Sequence, residues 1–287
     1  MRKLIILAGF LCLYIFSYAQ NDTLPTVEIT KLSTHWIILD LGVSNYFDHT
    51  NYSAVNPYLY NRLGAAAFIP GATSPSPLSK SDFNVNTFKS LNINIWLFMQ
   101  RLSLYKNYVN LKYGLGVELN NYKYKSTSNI SYLASNPFTV DATSASPIVY
   151  RDSIQFSVNK LAVDYVTIPL MLDFLTKPGG GIKKGLSISL GISAGYSYSY
   201  RNKQVSFERG VQANKGDFNL EKFKYSYVAE FGSGPVKLKG AHKPKIFYRL
   251  LLGFGKIRFY GSYTPKDLYI SGLKMNPYNV GLRFVNW

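Results

Sequence analysis

Two segments of this chain alternate apolar and polar residues over lengths that ordinary strands do not reach. From Val109 to Leu119 every second residue is apolar, and the residues between them are Asn, Lys, Gly or Glu. From Leu186 to Tyr200 the apolar residues alternate with Ser and Gly only. Because successive side chains of a strand point to opposite faces, each segment has one apolar face and one small or polar face. Ordinary strands average about 5 to 6 residues and tilted membrane strands about 9 to 11, so the pattern predicts strands that cross a membrane.

Eight segments carry this signal, and the connections between them differ in length in a regular way. Long polar loops are predicted after the first, third, fifth and seventh strands, and short turns after the second, fourth and sixth. An even number of antiparallel strands with long loops at one end is typical of outer-membrane barrels. We therefore predict an all-β fold, an eight-stranded antiparallel transmembrane β-barrel with long extracellular loops. The predicted strands span residues 36–46, 91–100, 108–120, 161–174, 186–200, 246–254, 257–263 and 278–284.

Two segments need more than simple alternation to interpret. In the fourth strand the apolar phase changes between Tyr165 and Val166, which predicts a β-bulge there. The stretch from Phe223 to Phe231 also alternates, but a ninth spanning strand would place the C-terminus at the wrong end of the barrel. We interpret this stretch as an extracellular hairpin inside the third long loop.

The composition supports a β-rich membrane protein. Apolar residues make up 47% of the chain and charged residues only 16%, which excludes a disordered chain. A soluble β-sandwich or soluble barrel is the alternative, because its strands also alternate. However, the polar face of the Leu186 segment carries only Ser and Gly, and small residues suit the inside of a narrow barrel better than a water-facing surface.

The N-terminus has the organisation of a secretory signal peptide. Arg2 and Lys3 precede an apolar stretch that is too short to span a membrane, and Ala19 ends a small-residue cleavage site. We expect residues 1–19 to be the signal peptide and residues 20–287 to form the barrel domain. Cys12 is the only cysteine, so the exported chain would have no disulfide, catalytic thiol or cysteine metal site.

Four stretches resemble the small outer-membrane barrel proteins called PorT-like, which are related in architecture to OmpA-type eight-stranded barrels. They have the sequences VTIPLML, LGISAGY, GSYTPKDLY and NPYNVGLRF, and they span residues 166–172, 190–196, 261–269 and 276–284.

The resemblance implies an outer-membrane location and a role in type IX secretion or gliding machinery, with secretion-complex proteins as partners. It brings no catalytic, cofactor or metal residues. Barrels of this type end on an aromatic residue in phase with the last apolar face, and Phe284 is in that phase while Trp287 is not. Phe284 therefore resembles the assembly signal that the outer-membrane insertion machinery recognises.

Eight charged residues are predicted to face the barrel interior. A lone charge in a narrow lumen is costly unless it is paired, so this balanced set predicts structural ion pairs that fill the barrel. The functional alternative is the lining of a narrow pore for small solutes. The four acids are Asp40, Glu118, Asp164 and Asp173, and the four bases are Lys112, Arg249, Arg258 and Arg283.

The positive charge of the chain is concentrated between Arg201 and Lys245, where ten basic residues face four acidic ones. Extracellular cations beside a phosphorylated lipid surface gain favourable electrostatics, so we predict contact with outer-membrane lipid such as lipopolysaccharide. A simply solvated charged loop is the alternative. Nothing in the sequence resembles a nucleic-acid-binding motif, so no nucleic acid partner is expected.

The three histidines give an enzymatic reading little support. His35 is predicted at the periplasmic end of the barrel, whereas His49 and His242 are predicted at the outer rim. A lipid-modifying enzyme at that rim could use them as acid or base. No histidine and carboxylate spacing predicts a metal site. The leading hypothesis is therefore a non-enzymatic scaffold or interaction protein without a cofactor.

Overall fold

Long strands dominate the parts of the chain that the computed structural model describes, which are residues 32–54, 79–125, 130–132, 149–151, 156–176, 186–216, 218–233, 257–270 and 272–284. The predicted signal peptide, residues 1–19, lies outside these ranges. Two short 3-10 helices, Lys80–Phe83 and Thr87–Lys89, follow the first strand. The strands are β1 (Leu32–Asp48), β2 (Leu91–Tyr105), β3 (Val109–Lys123), β4 (Ile130–Tyr132), β5 (Val149–Arg151), β6 (Val158–Leu175), β7 (Leu186–Ser206), β8 (Gly210–Lys215), β9 (Phe223–Ser233), β10 (Ile257–Tyr263) and β11 (Met275–Phe284).

Eight of these strands form a closed antiparallel ring. Its order is β1, β2, β3, β6, β7, β9, β10 and β11, and β11 pairs back onto β1. Closure leaves no strand edge inside the ring, so the backbone groups of its strands are paired with one another. The predicted ring of eight antiparallel strands is confirmed. Outside the ring, β8 extends β7 as a hairpin, and β4 pairs with β5.

The identity of the sixth ring strand differs from the prediction. β9 occupies the position between β7 and β10, and it pairs with both of them along its length. The predicted extracellular hairpin at 223–231 is therefore wrong, because this stretch is a barrel strand. Residues 246–254, which were predicted to be the sixth strand, lie outside the described residues. Both stretches alternate in sequence, and alternation alone does not say which of them completes the ring.

This change also decides at which end of the barrel β9 finishes and β10 begins. The end of the barrel at which β1, β3, β7 and β10 finish is called the upper end, and it carries the connections 49–90, 124–157, 207–222 and 264–274. The opposite end is called the lower end, and the connections 106–108, 176–185 and 234–256 begin and end there. β9 runs downward from Phe223, and β10 runs upward from Ile257. Ser233 and Ile257 therefore both lie at the lower end, and the residues between them lie outside the described residues.

Outward side chains form a continuous apolar belt around the ring. On β6 the belt consists of every second residue from Val166 to Phe174, all of them exposed. Aromatic residues border it at both ends: Tyr227 and Tyr263 are register partners near the upper end, as are Phe231 and Phe259 near the lower end. An apolar band between two aromatic bands is the exterior of a transmembrane barrel. No helix in the described parts of the chain is long and apolar enough to cross a membrane.

Two irregularities in register decide which side chains face inward. In β2 the pairing shifts between Trp96 and Phe98, so Met99 is fully buried against Ile38 and Trp96, although the sequence predicted it on the outer face. The second shift lies between β6 and β7, where Tyr198 is the extra residue. Such a bulge changes the facing of the residues beyond it on its own strand.

The phase change predicted within β6 is therefore wrong, since the extra residue belongs to β7. β6 keeps one alternation throughout, and Leu161, Val163 and Tyr165 are buried in the interior together with residues of the upper loops. The sequence pattern shows two apolar phases, but it does not say that one faces lipid and the other faces the core. The side chain of Asp164 consequently points outward from the ring, so the prediction that it faces the lumen is wrong.

Candidate functional site

The centre of the barrel interior is a carboxylate surrounded by three cations. Glu230 on β9 accepts hydrogen bonds from Lys112 on β3, Arg258 on β10 and Arg283 on β11. The Arg258 Nη1 to Glu230 Oε2 distance is 3.2 Å. All four side chains are buried. Because a buried charge is tolerated only when it is paired and hydrogen-bonded, Glu230 joins β9 electrostatically to three other strands.

Arg283 also binds a second acid, Asp40 of β1. The guanidinium Nε and Nη2 each lie 2.7 Å from a carboxylate oxygen of Asp40, which is the two-point geometry that arginine forms with carboxylates. Trp96 Nε1 donates to the same carboxylate at 2.7 Å, and Asn94 Nδ2 donates at 3.1 Å. The strand pair that closes the ring, β1 with β11, is therefore joined by a buried ion pair as well as by backbone hydrogen bonds.

The lower interior is built around Asp173 of β6. Its carboxylate lies 3.1 Å from Arg101 Nε and 3.6 Å from Arg258 Nη1, and it accepts a hydrogen bond from Ser189 at 2.8 Å. Since Arg258 also contacts Glu230, the lower and central groups form one connected network. We call it the charge network, and each of the eight ring strands contributes one member: Asp40, Arg101, Lys112, Asp173, Ser189, Glu230, Arg258 and Arg283.

Above the charge network lies a smaller polar layer. Glu118 on β3 pairs with Lys224 on β9, and the Lys224 ammonium stands 4.3 Å above the centre of the Tyr165 ring. Beside them, Asn92 Nδ2 donates to Asn120 Oδ1 at 2.7 Å, and Tyr260 donates to Asn92. These side chains fill the width of the barrel between the wall strands. The described interior retains here a cavity of about 20 Å³, which is room for about one water molecule.

The upper end of the interior is closed by apolar side chains. Three upper connections contribute to this closure, through Phe83, Leu220 and Tyr269 among others, and they rest on buried wall residues such as Tyr122 and Leu161. Short backbone bridges tie the loops down, between Val85 and Tyr124 and between Leu220 and Tyr269. We call this cluster the apolar cap; its residues are Tyr46, Phe83, Val85, Tyr122, Tyr124, Leu161, Val163, Tyr165, Phe218, Leu220, Leu268, Tyr269, Leu273 and Met275.

The structure distributes the predicted lumen residues unevenly. Asp40, Lys112, Asp173, Arg258 and Arg283 meet in the charge network, whereas Glu118 lies in the layer above it. Asp164 lies outside the lumen, where it accepts a hydrogen bond of 2.5 Å from the half-exposed Arg201. Arg249 lies outside the described residues. Phe284 is an outward-facing residue at the lower end of β11, in register with Leu39 of β1.

Sequence reasoning missed three interior charges, and each has an identifiable cause. Glu230 and Lys224 were assigned to an extracellular loop. In the alternation from Phe223 to Phe231, however, both lie on the polar face, opposite the apolar side chains. Arg101 was missed because the bulge in β2 reverses the facing of the residues after Trp96. Recognising 223–231 as a barrel strand would have revealed the central carboxylate.

The upper rim does not bring a histidine and an acid together in the described structure. His49 is exposed and its ring lies 6.5 Å from that of Phe47, while the neighbouring Asp48 accepts a hydrogen bond of 2.6 Å from the Tyr52 hydroxyl. Burial and this hydrogen bond raise the pKa of Tyr52. His35 lies near the lower end of β1, and His242 falls outside the described residues. Within the described ranges, no cluster of His, Cys, Asp or Glu side chains could hold a metal ion.

The basic segment from Arg201 to Lys245 is not the single loop that the sequence predicted. Arg201, Lys203 and Lys215 belong to the β7–β8 hairpin at the upper end, while Lys224 points into the lumen from β9. Residues 237–245, with four other lysines of the segment, lie outside the described residues. The cations of the described upper hairpin are therefore the ones that could face the outer surface.

These features define a class of protein: a closed eight-stranded antiparallel barrel with an apolar exterior and an interior filled by side chains. No protein-family model matches the chain, and no curated protein matches it. Among solved structures, the chain is similar to the crystal structure of Ail, the attachment invasion locus protein of Yersinia pestis, at 12% identity over 88% of this chain and 98% of that chain, with a TM-score of 0.30. The structure of Ail in complex with the heparin analogue sucrose octasulfate covers the same shares at 10% identity, with a TM-score of 0.28.

Proposed function

We propose that the protein is an integral outer-membrane barrel that acts as a non-enzymatic scaffold or interaction protein through its upper end. The observation that carries this proposal is the inversion of polarity across the barrel wall. Apolar side chains of the belt face outward, and the charge network lies inside. A water-soluble barrel would have the reverse arrangement, whereas a barrel in lipid has this one.

The filled interior supports a scaffold more than a channel. An eight-stranded barrel has an interior just wide enough for side chains, and here the charge network and the apolar cap occupy it in succession. An ion moving through would have to break paired buried charges and then cross an apolar layer, and both steps are costly.

The upper end offers the features of a protein-binding surface. The β7–β8 hairpin extends the sheet, every residue of β8 is exposed, and β8 pairs with β7 alone among the described strands. Such a strand edge can pair with an extended segment of a partner. Phe207 at the hairpin tip is fully exposed, and exposed aromatic side chains are frequent anchors of protein interfaces.

The partner class that we propose comes from the resemblance to PorT-like proteins. Under that proposal, the upper end binds components of type IX secretion or gliding machinery, and the outer-membrane insertion machinery assembles the barrel through Phe284. The localisation, the absence of conductance and the partner binding are separate parts of the proposal, and each has its own measurement.

Membrane fractionation and planar-bilayer recording test the first two parts. We expect the full chain to fractionate with the outer membrane, to need detergent for solubility and to give no steady conductance. Recovery in the periplasmic fraction would contradict the location, and reproducible open steps would contradict the closed lumen.

Cross-linking in cells tests the partner. In one variant, residues 205–211 are replaced by Asn-Gly, which keeps the register pair Gln204 and Gln212. The matched control keeps the hairpin length and carries only Glu208→Gln. We expect identified secretion components to be cross-linked to the wild type and the control but not to the shortened variant. Equal recovery with all three would remove the hairpin from the proposal.

A further inference from the structure

Three lysines stand side by side on the outward face of β3, β6 and β7. Lys123 is the register partner of Lys160, and Lys160 is the register partner of Lys203. Cβ atoms of directly opposed residues are about 4.5–5.5 Å apart, so the three side chains share one patch, which we call the lysine row. Like charges directly opposite each other destabilise a sheet, and the patch therefore favours a bound anion.

The surrounding charges do not neutralise the lysine row. The described charged groups that act on Lys160 are the cations Lys203, Arg201 and Lys123 and one acid, Asp164. Asp164 is already paired with Arg201 at 2.5 Å. In the ranges that the structure describes, no carboxylate forms an ion pair with the lysine row.

The lysine row lies above the apolar belt, toward the upper end of the same three strands. Lys123 follows the belt residue Leu119 by four positions on β3, or about 13 Å along the strand. The exposed rings of Tyr196 and Tyr198 mark the same boundary on β7. Lysine side chains bend toward a polar boundary while their methylene groups cover apolar surface. On β6 the belt starts at Val166, six positions below Lys160 or about 20 Å along the strand, so the headgroup of a bound lipid would have to span this distance from acyl chains on the belt.

The other ring strands present a different surface near their upper ends. Their outward residues near the upper end are apolar or aromatic rather than basic: Phe47 on β1, Leu91 on β2, Phe223 on β9, Tyr263 on β10 and Tyr278 on β11. On the wall strands the basic patch is thus confined to one side of the barrel, and on β6 it is separated from the belt by Ala162 and Asp164.

We propose that the lysine row, together with Arg201, is a binding site for a phosphorylated lipid, whose phosphate groups contact the cations and whose acyl chains lie on the belt of β3, β6 and β7. This inference rests on the proposed membrane location and gives it a lipid class. The position of the patch above the belt on the same three strands favours a lipid over a soluble polyanion, because a single lipid offers phosphates to the cations and acyl chains to the apolar surface below them.

Native mass spectrometry of the detergent-solubilised full chain tests the site. The probes are bisphosphorylated lipid A and its dephosphorylated form with the same acyl chains. The test variant carries Lys123→Gln, Lys160→Gln and Lys203→Gln. The matched control removes the same number of charges from exposed upper loops through Lys80→Gln, Lys89→Gln and Lys274→Gln.

We expect the test variant to bind the phosphorylated lipid about tenfold or more weakly than the wild type, since each lysine near an anionic headgroup contributes measurable affinity. The control should bind like the wild type, and the dephosphorylated lipid should bind weakly and equally to all three. Equal binding of the phosphorylated lipid by the test variant and the wild type would overturn the site. An equal loss in the control, or displacement of the lipid by inorganic phosphate, would overturn it as well.

Two further measurements keep the outcome interpretable. Removing three neighbouring like charges should leave the heat-modifiable gel mobility of the barrel unchanged, and the conservative variant with arginine at the three positions should retain lipid binding. If that arginine variant folds but does not bind, the charge-based site is wrong. Recovery of the wild type as a water-soluble monomer would refute the membrane location, whereas insertion without discrimination between the lipids would refute the lipid site alone.

Discussion

The lower and upper halves of the barrel interior are filled by opposite kinds of chemistry. Below, the charge network brings one side chain from each ring strand into a single set of buried ion pairs and hydrogen bonds. Above, the apolar cap takes residues from three loops and packs them on buried wall residues. Both halves are closed to water, but they owe their stability to different interactions.

The difference predicts different responses to mutation. In the charge network the members depend on each other, because removal of one leaves its partners charged, buried and short of one counter-charge. In the apolar cap each side chain contributes mainly the area that it buries, and the loops around it can move toward a vacated space. The lower half should therefore be intolerant of single changes, and the upper half should respond in a graded way.

Glu230→Gln should have the largest effect, a loss of about 3–5 kcal/mol in the free energy of unfolding, because Lys112, Arg258 and Arg283 would lose their common anion. Urea unfolding of the barrel in lipid vesicles, followed by the gel mobility of the folded form, measures the loss. Glu221→Gln is the control, since Glu221 pairs with the partly exposed Lys266 at 2.9 Å. Losses of equal size would show that the central carboxylate has no special role.

Leu220→Ala in the apolar cap should cost about 2–3 kcal/mol, near the lower part of the range for buried leucines, since loop residues around it can relax. Leu220 is completely buried and bridges Tyr269 through the backbone. The same unfolding assay measures the cost. A greater loss than that of Glu230→Gln would reverse the proposed contrast between the two halves.

Gly42→Ala should cost about 1–3 kcal/mol, because an added methyl group would overpack the wall between the two halves. A Cβ atom at Gly42 would clash with the carbonyl oxygen of Val280 and lie 2.5 Å from the Tyr260 hydroxyl oxygen. Gly261→Ala is the matched control, since the nearest atoms there are 3.8 Å away. If the control is destabilised as much as Gly42→Ala, a general effect on the strands rather than overpacking explains the loss.

The sequence predicts the architecture well and the contents of the interior only in part. Alternation in β3 and β7 identifies long strands with one apolar face. The count of eight such segments, an even number, predicts the closed ring. Alternation does not identify the partner of a strand, so β9 was assigned to a loop and Glu230 was missed with it. The apolar phase of Leu161, Val163 and Tyr165 was assigned to lipid because hydrophobic side chains look the same in sequence whether they face a membrane or a cap.

Mutation of Asp164, which forms an ion pair with Arg201, should change the free energy of unfolding least, in contrast to mutation of Glu230. The hydrogen bond of this pair is short, at 2.5 Å, but the arginine side chain is half-exposed on the outer wall. The Asp164 side chain is only 4% exposed, but Asp164→Asn removes the buried charge together with the pair, and an ion pair with a solvated arginine contributes about 0–1 kcal/mol. Asp164→Asn should therefore change the free energy of unfolding by less than about 1 kcal/mol, whereas Arg201→Gln should cost more because it leaves the buried carboxylate without its cation. A double-mutant cycle in vesicles measures the coupling between the two side chains directly. A coupling as large as the loss expected for Glu230→Gln would mean that lipid, rather than water, surrounds this pair, and the apolar belt would then extend above Val166 on β6.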